Sequence, residues 1–275
     1  IGGGVIGLEM ASYFNSAGAK VTVVEMLTKI GGAIDDDIAK ILQKNYEKKG
    51  ITFKLGCKVT KVKDGKVFFE ENGKIDSAAG EKVLLAIGRR ANTAGIGLES
   101  IGVALEYGAV LTDEHQKTNV PEVYAAGDVN GKSMLAHTAY REAEVAVNHM
   151  LGKRDRMRYS AIPGVIYTNP EVAGVGETES SAKAKGMDVM VKTLTMNYSG
   201  RYMAENEGGD GIIKIIVDKK WNKLAGVHII ANYASEIIYG AGLMVEKEMT
   251  IDEIKELVFP HPTVSEIIRE AIFQL

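Results

Sequence analysis

The sequence predicts an α/β protein: a parallel sheet with helices in its first part, and an α+β arrangement in its last. Three observations carry this. The opening residues alternate between helical and strand periodicity. Gly2, Gly4 and Gly7 form a G-x-G-x-x-G turn at the start of a helical run. The β-rich runs after residue 159 precede the helical runs instead of interleaving with them.

Val5 to Ser16 carries Ile6, Met10 and Phe14 at i, i+4 spacing, and Gly18 stands where a helix would stop. Lys20 to Glu25 is short and β-branched, which predicts a buried strand. Ile34, Ile38, Ile41 and Leu42 repeat at helical spacing until Gly50. Val59 to Glu71 reads as a hairpin around Asp64-Gly65, a pair suited to a type I′ turn. A last strand is expected from Val83 to Ile87, running into Gly88. Residues 89–152 are looser, with one compact apolar run, Val123 to Ala126, and a helix from Ala136 to about Met150. Strands follow at Val189 to Met196, Gly211 to Val217 and Leu224 to Ile230, and then two helices.

The length of 275 residues is about two domain-lengths. With 45% hydrophobic and 25% charged residues the composition is that of a globular protein. There are 33 basic and 36 acidic side chains, a net charge of −3, and no basic block, which argues against a nucleic-acid binder. No run approaches the ~18 apolar residues of a transmembrane helix, so no membrane role is expected. The single cysteine, Cys57, excludes an internal disulfide and a cysteine zinc cluster, and no other metal site is expected. A reducing, cytoplasmic setting fits. The chain opens on Ile1, without a secretory signal pattern, and reads as entered in mid-element.

The glycine turn points to a dinucleotide. Its first glycine permits a tight bend, its second lets the backbone approach a pyrophosphate, and its third lets the helix sit close to the sheet. Phosphates would lie at the positive helix end. Glu25 closes the next strand at about the ~20-residue distance where an acid grips the adenosine ribose. An acid there repels a 2′-phosphate, so NAD is expected over NADP.

Three segments then acquire meaning together. IGGGVIGLEMA at the start, TNVPEVYAAGDV in the middle and HPTVSE near the end resemble the flavoprotein disulfide reductases, and among them the dihydrolipoamide dehydrogenases. Glutathione-type relatives use NADPH, which conflicts with Glu25. Mercuric reductases usually end in a cysteine pair, whereas this chain ends at Leu275 with none nearby. The resemblance implies a Rossmann-type NAD-binding domain at 1–88 with its first strand truncated. It implies a remnant of an FAD-binding domain at 89–152 and a C-terminal α+β dimerisation domain at 153–275. It also implies an N-terminal segment with the first FAD phosphate loop and a C-x-x-x-x-C redox pair, neither of which is in this sequence. Cys57, in LGCKV, is read as a small buried hydrophobe.

The site residues follow from the resemblance. Asp128 matches the aspartate that hydrogen-bonds the ribityl chain of FAD, although Gly-Asp pairs also simply form turns. Met134, Leu135, Ala136 and His137 match the stretch whose backbone approaches the isoalloxazine ring. Glu9 matches the glutamate beside the nicotinamide, and Gly88 the glycine under the NAD. His115, His149 and His228 have no motif around them. His261 lies between Pro260 and Pro262, close before Glu266. A rigid imidazole beside a carboxylate suits general acid–base work. Thr263 to Glu266 is equally a capping box, and spacing leaves both readings open. The match to HPTxSE favours the catalytic pair, although many relatives have a second histidine where this chain has Phe259.

The implied function is oxidation of dihydrolipoyl groups through a disulfide and FAD to NAD. The implied partners are a second copy of the chain and the 2-oxo acid dehydrogenase or glycine cleavage complexes. Without the redox pair this chain is expected to be inactive on its own. The alternatives are a dimeric NAD-binding module without turnover, a dimerisation fragment without ligand, or another NAD-dependent reductase of the family.

Overall fold

The computed structural model of the chain describes residues 1–206 and 211–275. Helix α1 (Val5–Ser16) follows an extended Gly4 and ends at Ala17. Its buried side is Gly7, Leu8 and Ala11, while Ile6 and Phe14 are exposed. The apolar row that announces the helix therefore lies on its outer side. Gly7 is the cause: a Cβ there would stand 2.0 Å from the Gly2 carbonyl oxygen, so the helix packs on the side without a side chain.

Strand β1 (Thr22–Val24), helix α2 (Asp36–Lys48) and strand β2 (Thr52–Lys54) come next, with β1 and β2 paired in parallel. Helix α2 starts at Asp36 because the Asp35 carboxylate accepts the Asp37 N–H as its cap. The strand expected from Val83 to Ile87 is not formed as a regular strand. It pairs with Ile1, whose N–H donates to Leu84 O (2.8 Å) and whose carbonyl accepts from Ala86 N (2.8 Å). These two bonds are too few to make a ladder.

Strands β3 (Lys58–Lys63), β4 (Lys66–Glu71) and β5 (Lys74–Ala79) form an antiparallel sheet. Asp64 and Gly65 both have positive φ (51° and 69°), the I′ geometry expected. A second turn of the same kind at Asn72 and Gly73 (φ 51° and 78°) adds β5, a strand too polar to be read from periodicity. This sheet covers Val24, Cys57, Val67 and Phe69, and Cys57 is fully buried.

Residues 89–162 form one unit, and residues 1–88 with 163–275 form another. The first of these holds the short pair β6 (Leu105–Glu106) and β7 (Ala109–Val110), then helix α3 (Ala136–Met150). The strand expected at Val123 to Ala126 is reduced to one isolated bridge between Lys117 and Tyr124. The chain turns back tightly there, Val123 N donating to Val120 O with Glu122 at φ 63°, so the pairing is too short for a strand.

The other unit continues with strands β8 (Gly164–Ile166) and β9 (Val172–Gly176), helix α4 (Glu179–Ala184), strand β10 (Val189–Thr195), helix α5 (Gly200–Glu205), and strands β11 (Ile212–Asp218) and β12 (Lys223–Ile230). These make a five-stranded antiparallel sheet in the order β10-β11-β12-β9-β8. Three helices close the chain instead of the two expected: α6 (Ala234–Glu246), α7 (Ile251–Lys255) and α8 (Glu266–Ile272). The short α7 is started by a Thr250–Glu253 capping box. Leu8, Val23, Ile38, Leu42 and Tyr46 share one hydrophobic core with Ile166, Val172 and Ile230, which is why the two ends of the sequence fold as one unit. No helix of the described residues is long and apolar enough to cross a membrane.

Candidate functional site

The glycine turn is a shaped cradle. Gly2 has φ +100°, and a Cβ on it would lie 2.3 Å from Ala86 O, so only glycine fits between the first residues and the 84–86 segment. A Cβ on Gly4, in contrast, would meet nothing within 4 Å. That open space lies at the N-terminus of α1, where no side chain caps the first turn and no acidic residue occupies it. Unsatisfied N–H groups and the positive end of the helix dipole face it, which is what a pyrophosphate requires. A Cβ on Gly88 also meets open space. The cradle fits a dinucleotide.

Glu25 is tied into this turn. Its Oε2 accepts from Gly3 N at 2.6 Å and its Oε1 from Leu27 N at 2.7 Å. Each oxygen keeps a second lone pair for a ribose hydroxyl. Gly31 N donates to Gly3 O (2.8 Å), so the loop after Glu25 is laced to the cradle as well. Glu9, on α1, accepts from Tyr167 N through Oε1 at 2.9 Å. Sequence reasoning missed this partner: 158 residues separate the two, and the donor is a backbone group without side-chain signature.

In the other unit, Gly127 (φ 82°, ψ −160°) adopts a conformation open to glycine and leads into a 3₁₀ turn, Asp128–Asn130. Asp128 is exposed, and its carboxylate has no hydrogen-bond partner among the described residues. Met134 and Leu135 lead into α3, whose first residues are Ala136 and His137 and whose N-terminus has no side-chain cap. An unpartnered carboxylate and an open helix start thus supply acceptor and donor groups to a polar ligand.

The third cluster is at the C-terminus. His261 Nδ1 is 2.7 Å from Glu266 Oε1, and Thr263 N donates to Glu266 Oε2 at 2.8 Å. Glu266 serves two partners, one carboxylate oxygen facing the imidazole and the other receiving the Thr263 N–H, but the full capping box does not form: the N-cap of α8 is Ser265, without a side-chain cap, and Thr263 Oγ1 turns to Pro260 O instead. The carboxylate accepts only, so Nδ1 carries a proton and Nε2 is left as the base in the neutral ring. Glu266 is mostly buried (17% exposed), whereas His261 is 80% exposed. The Thr263 amide, with the His261 bond added, holds the Glu266 carboxyl below its ordinary range against partial desolvation. Thr263 Oγ1 donates to Pro260 O (2.8 Å) and Ser199 Oγ to Thr263 O (3.2 Å), which steadies the loop.

The remaining histidines are packed elsewhere. The His115 and His149 rings stack at 4.6 Å, and His149 Nδ1 meets Tyr124 OH at 2.8 Å. His228 is buried with Nε2 at Glu177 O (2.8 Å), and desolvation pushes its pKa down. Burial likewise pushes the Cys57 thiol up, away from reactivity.

Comparison with known proteins gives this geometry its setting. Residues 1–143 match the pyridine nucleotide-disulphide oxidoreductase family, and residues 162–272 match the dimerisation domain of pyridine nucleotide-disulphide oxidoreductases. The chain is 37% identical to a dihydrolipoyl dehydrogenase of Rhizobium etli, covering 99% of the chain and 58% of that protein. It is 38% identical to the mitochondrial dihydrolipoyl dehydrogenase of Schizosaccharomyces pombe, covering 99% of the chain and 54% of the relative. Among solved structures, LpdA from Mycobacterium tuberculosis is similar with a TM-score of 0.88 at 27% identity, over 99% of this chain and 60% of that one. The HOCl-induced flavoprotein disulfide reductase RclA from Escherichia coli is similar with a TM-score of 0.87 at 25% identity, over 99% and 63%. The chain therefore spans a little over half the length of the relatives it matches. With a glycine turn of dinucleotide-binding shape at its start and the family match running over residues 1–143, the chain belongs to the pyridine nucleotide-disulphide oxidoreductase family.

Proposed function

We propose that this chain provides the NAD-binding and proton-handling parts of a dihydrolipoyl dehydrogenase that works as a homodimer in a reducing, cytoplasmic setting. Its substrates would be dihydrolipoyl groups of a 2-oxo acid dehydrogenase or glycine cleavage complex. The observation that carries this reading is the His261–Glu266 pair, an exposed imidazole whose Nδ1 is fixed by a mostly buried carboxylate.

Gly2, Gly4 and Gly7 would hold the pyrophosphate of NAD and Glu25 its adenosine ribose, with Glu9 and Gly88 serving its nicotinamide end. Asp128 would accept from the ribityl hydroxyls of FAD, and the backbone of Met134, Leu135, Ala136 and His137 would serve its ring. FAD, when bound, supplies the electron relay between a dithiol and the nicotinamide. His261 Nε2 takes the thiol proton of the dihydrolipoyl group, making a thiolate able to attack a disulfide, and Glu266 stabilises the resulting imidazolium. The one cysteine of this chain, Cys57, is sealed in its core with its thiol pushed up by burial, which supports reading it as packing and not as a redox nucleophile.

His261→Ala in the complete reductase tests the assignment. Lipoamide turnover should fall by about a hundredfold to ten-thousandfold, the usual contribution of an acid–base group, while NADH-to-flavin transfer stays nearly intact. Equal losses in both half-reactions would remove the proton-transfer role.

A further inference from the structure

Glu142 lies on the second turn of α3 and is 0% exposed, an unusual setting for a carboxylate. Its Oε2 accepts from Gly127 N at 2.6 Å and its Oε1 from Tyr159 OH at 2.7 Å. Tyr159 OH accepts in turn from Gln116 Nε2 (3.1 Å), and Gln116 Oε1 accepts from Asn130 Nδ2 (3.2 Å). Asn130 N closes the circle on Gly127 O at 3.0 Å. The 3₁₀ turn that carries Asp128 is therefore gripped at both ends by one polar network. Burial and the Glu142 acceptor hold the Tyr159 phenol above its ordinary range, so it remains an O–H donor. Both groups facing Glu142 are donors, and a carboxylate, which only accepts, satisfies both at once.

We propose that Glu142 is a positioning residue for the flavin site: by holding Gly127 N it fixes the direction in which Asp128 presents its carboxylate to the ribityl hydroxyls. The inference rests on the flavin reading of Asp128 given above. The Asp128 carboxylate has no hydrogen bond among the described residues, so its aim is set by the backbone on which it stands. Gly127, in a conformation that only glycine adopts readily, is the residue where that backbone would otherwise swing.

The test uses the complete flavoprotein, stripped of FAD and titrated with FAD by the quenching of flavin fluorescence. Glu142→Gln is the variant of choice, because a leucine would leave two buried donors unpaired and risks the fold. The glutamine oxygen can serve Gly127 N or Tyr159 OH but not both, and without charge. FAD affinity should fall about fivefold, the difference between a charge-assisted and a neutral hydrogen bond. Asp128→Ala should lower it about tenfold to a hundredfold. In the double variant Glu142→Gln should add nothing, because its effect passes through Asp128. A fivefold loss that persists in the Asp128→Ala background would make Glu142 a general structural residue and overturn the inference, as would no loss at all. If Asp128→Ala leaves FAD affinity unchanged, the flavin reading of Asp128 itself falls.

Discussion

Replacing Glu25 with alanine should close the gap between NADH and NADPH, and the structure says by how much. The carboxylate accepts from Gly3 N and from Leu27 N, and in the proposed NAD site it would also accept a ribose hydroxyl. Loss of the charged ribose bond costs about 1.5–3 kcal/mol, or about ten- to a hundredfold in NADH affinity. For NADPH the same change removes a repulsion. Unit charges about 4 Å apart at an effective dielectric of ~20 interact by about 4 kcal/mol. Glu25 is only partly buried, and salt at ~0.15 M screens it to on the order of 1 kcal/mol. Freeing Gly3 and Leu27 loosens the cradle for both nucleotides and offsets that gain. The expected result is NADH binding weakened by about ten- to a hundredfold with NADPH binding nearly unchanged. Fluorescence titration of this chain with each nucleotide measures both, and a thermal melt confirms that the variant is folded. Equal affinity for NADH and NADPH before mutation would refute the reasoning, as would a variant that keeps the full gap.

Lys214, on β11, is 3% exposed and meets Asp35 (3.1 Å), Asp37 (2.8 Å) and Glu179 (2.9 Å). Lys214→Met should cost about 3–5 kcal/mol by leaving Asp35, itself 2% exposed, without its countercharge. Trp221, the one tryptophan, lies in the same unit between β11 and β12 and reports the urea transition; a cost below about 1 kcal/mol would contradict the burial argument. The Lys214 bond holds the Asp37 carboxyl below its ordinary 3.8, and Lys183 and Lys214 hold Glu179 below 4.5. Depressed acids stabilise the fold above these values and lose that contribution as pH falls through the lower folded ones, so the Lys214→Met penalty should shrink below pH 3.8. A penalty of constant size in acid would show that the ion cluster is not its source. Asp128 and the start of α3 alone should not retain FAD, so the purified chain should be colourless; stoichiometric FAD surviving gel filtration would show that these residues suffice. Tyr239 (76% exposed), Leu243 and Val258 (96%) lie bare within the matched dimerisation segment, so sedimentation should find a dimer, and a monomer would count against it.

The sequence by itself determined what neighbouring residues decide. The Asp64-Gly65 turn, the extent of α1 and the run of β10 depend on φ preferences and on periodicity, both written locally. The glycine cradle was legible for the same reason, because its three glycines and the following helix are contiguous. Strand formation at Val83–Ile87 and Val123–Ala126 was not, since a strand exists only when a partner of matching length lies alongside. The anchoring of Glu9 by Tyr167, the burial of Lys214 among Asp35, Asp37 and Glu179, and the hold of Glu142 on Gly127 were decided by tertiary structure alone. In each a charged side chain, which alone would stay in water, is drawn inward by donors or countercharges from elements distant in sequence or on another turn. Glu266 shows the two levels on one residue. The capping-box spacing announces the Thr263 bond, but only the folded loop between Pro260 and α8 turns the second oxygen to His261, because a hydrogen bond needs direction as well as proximity.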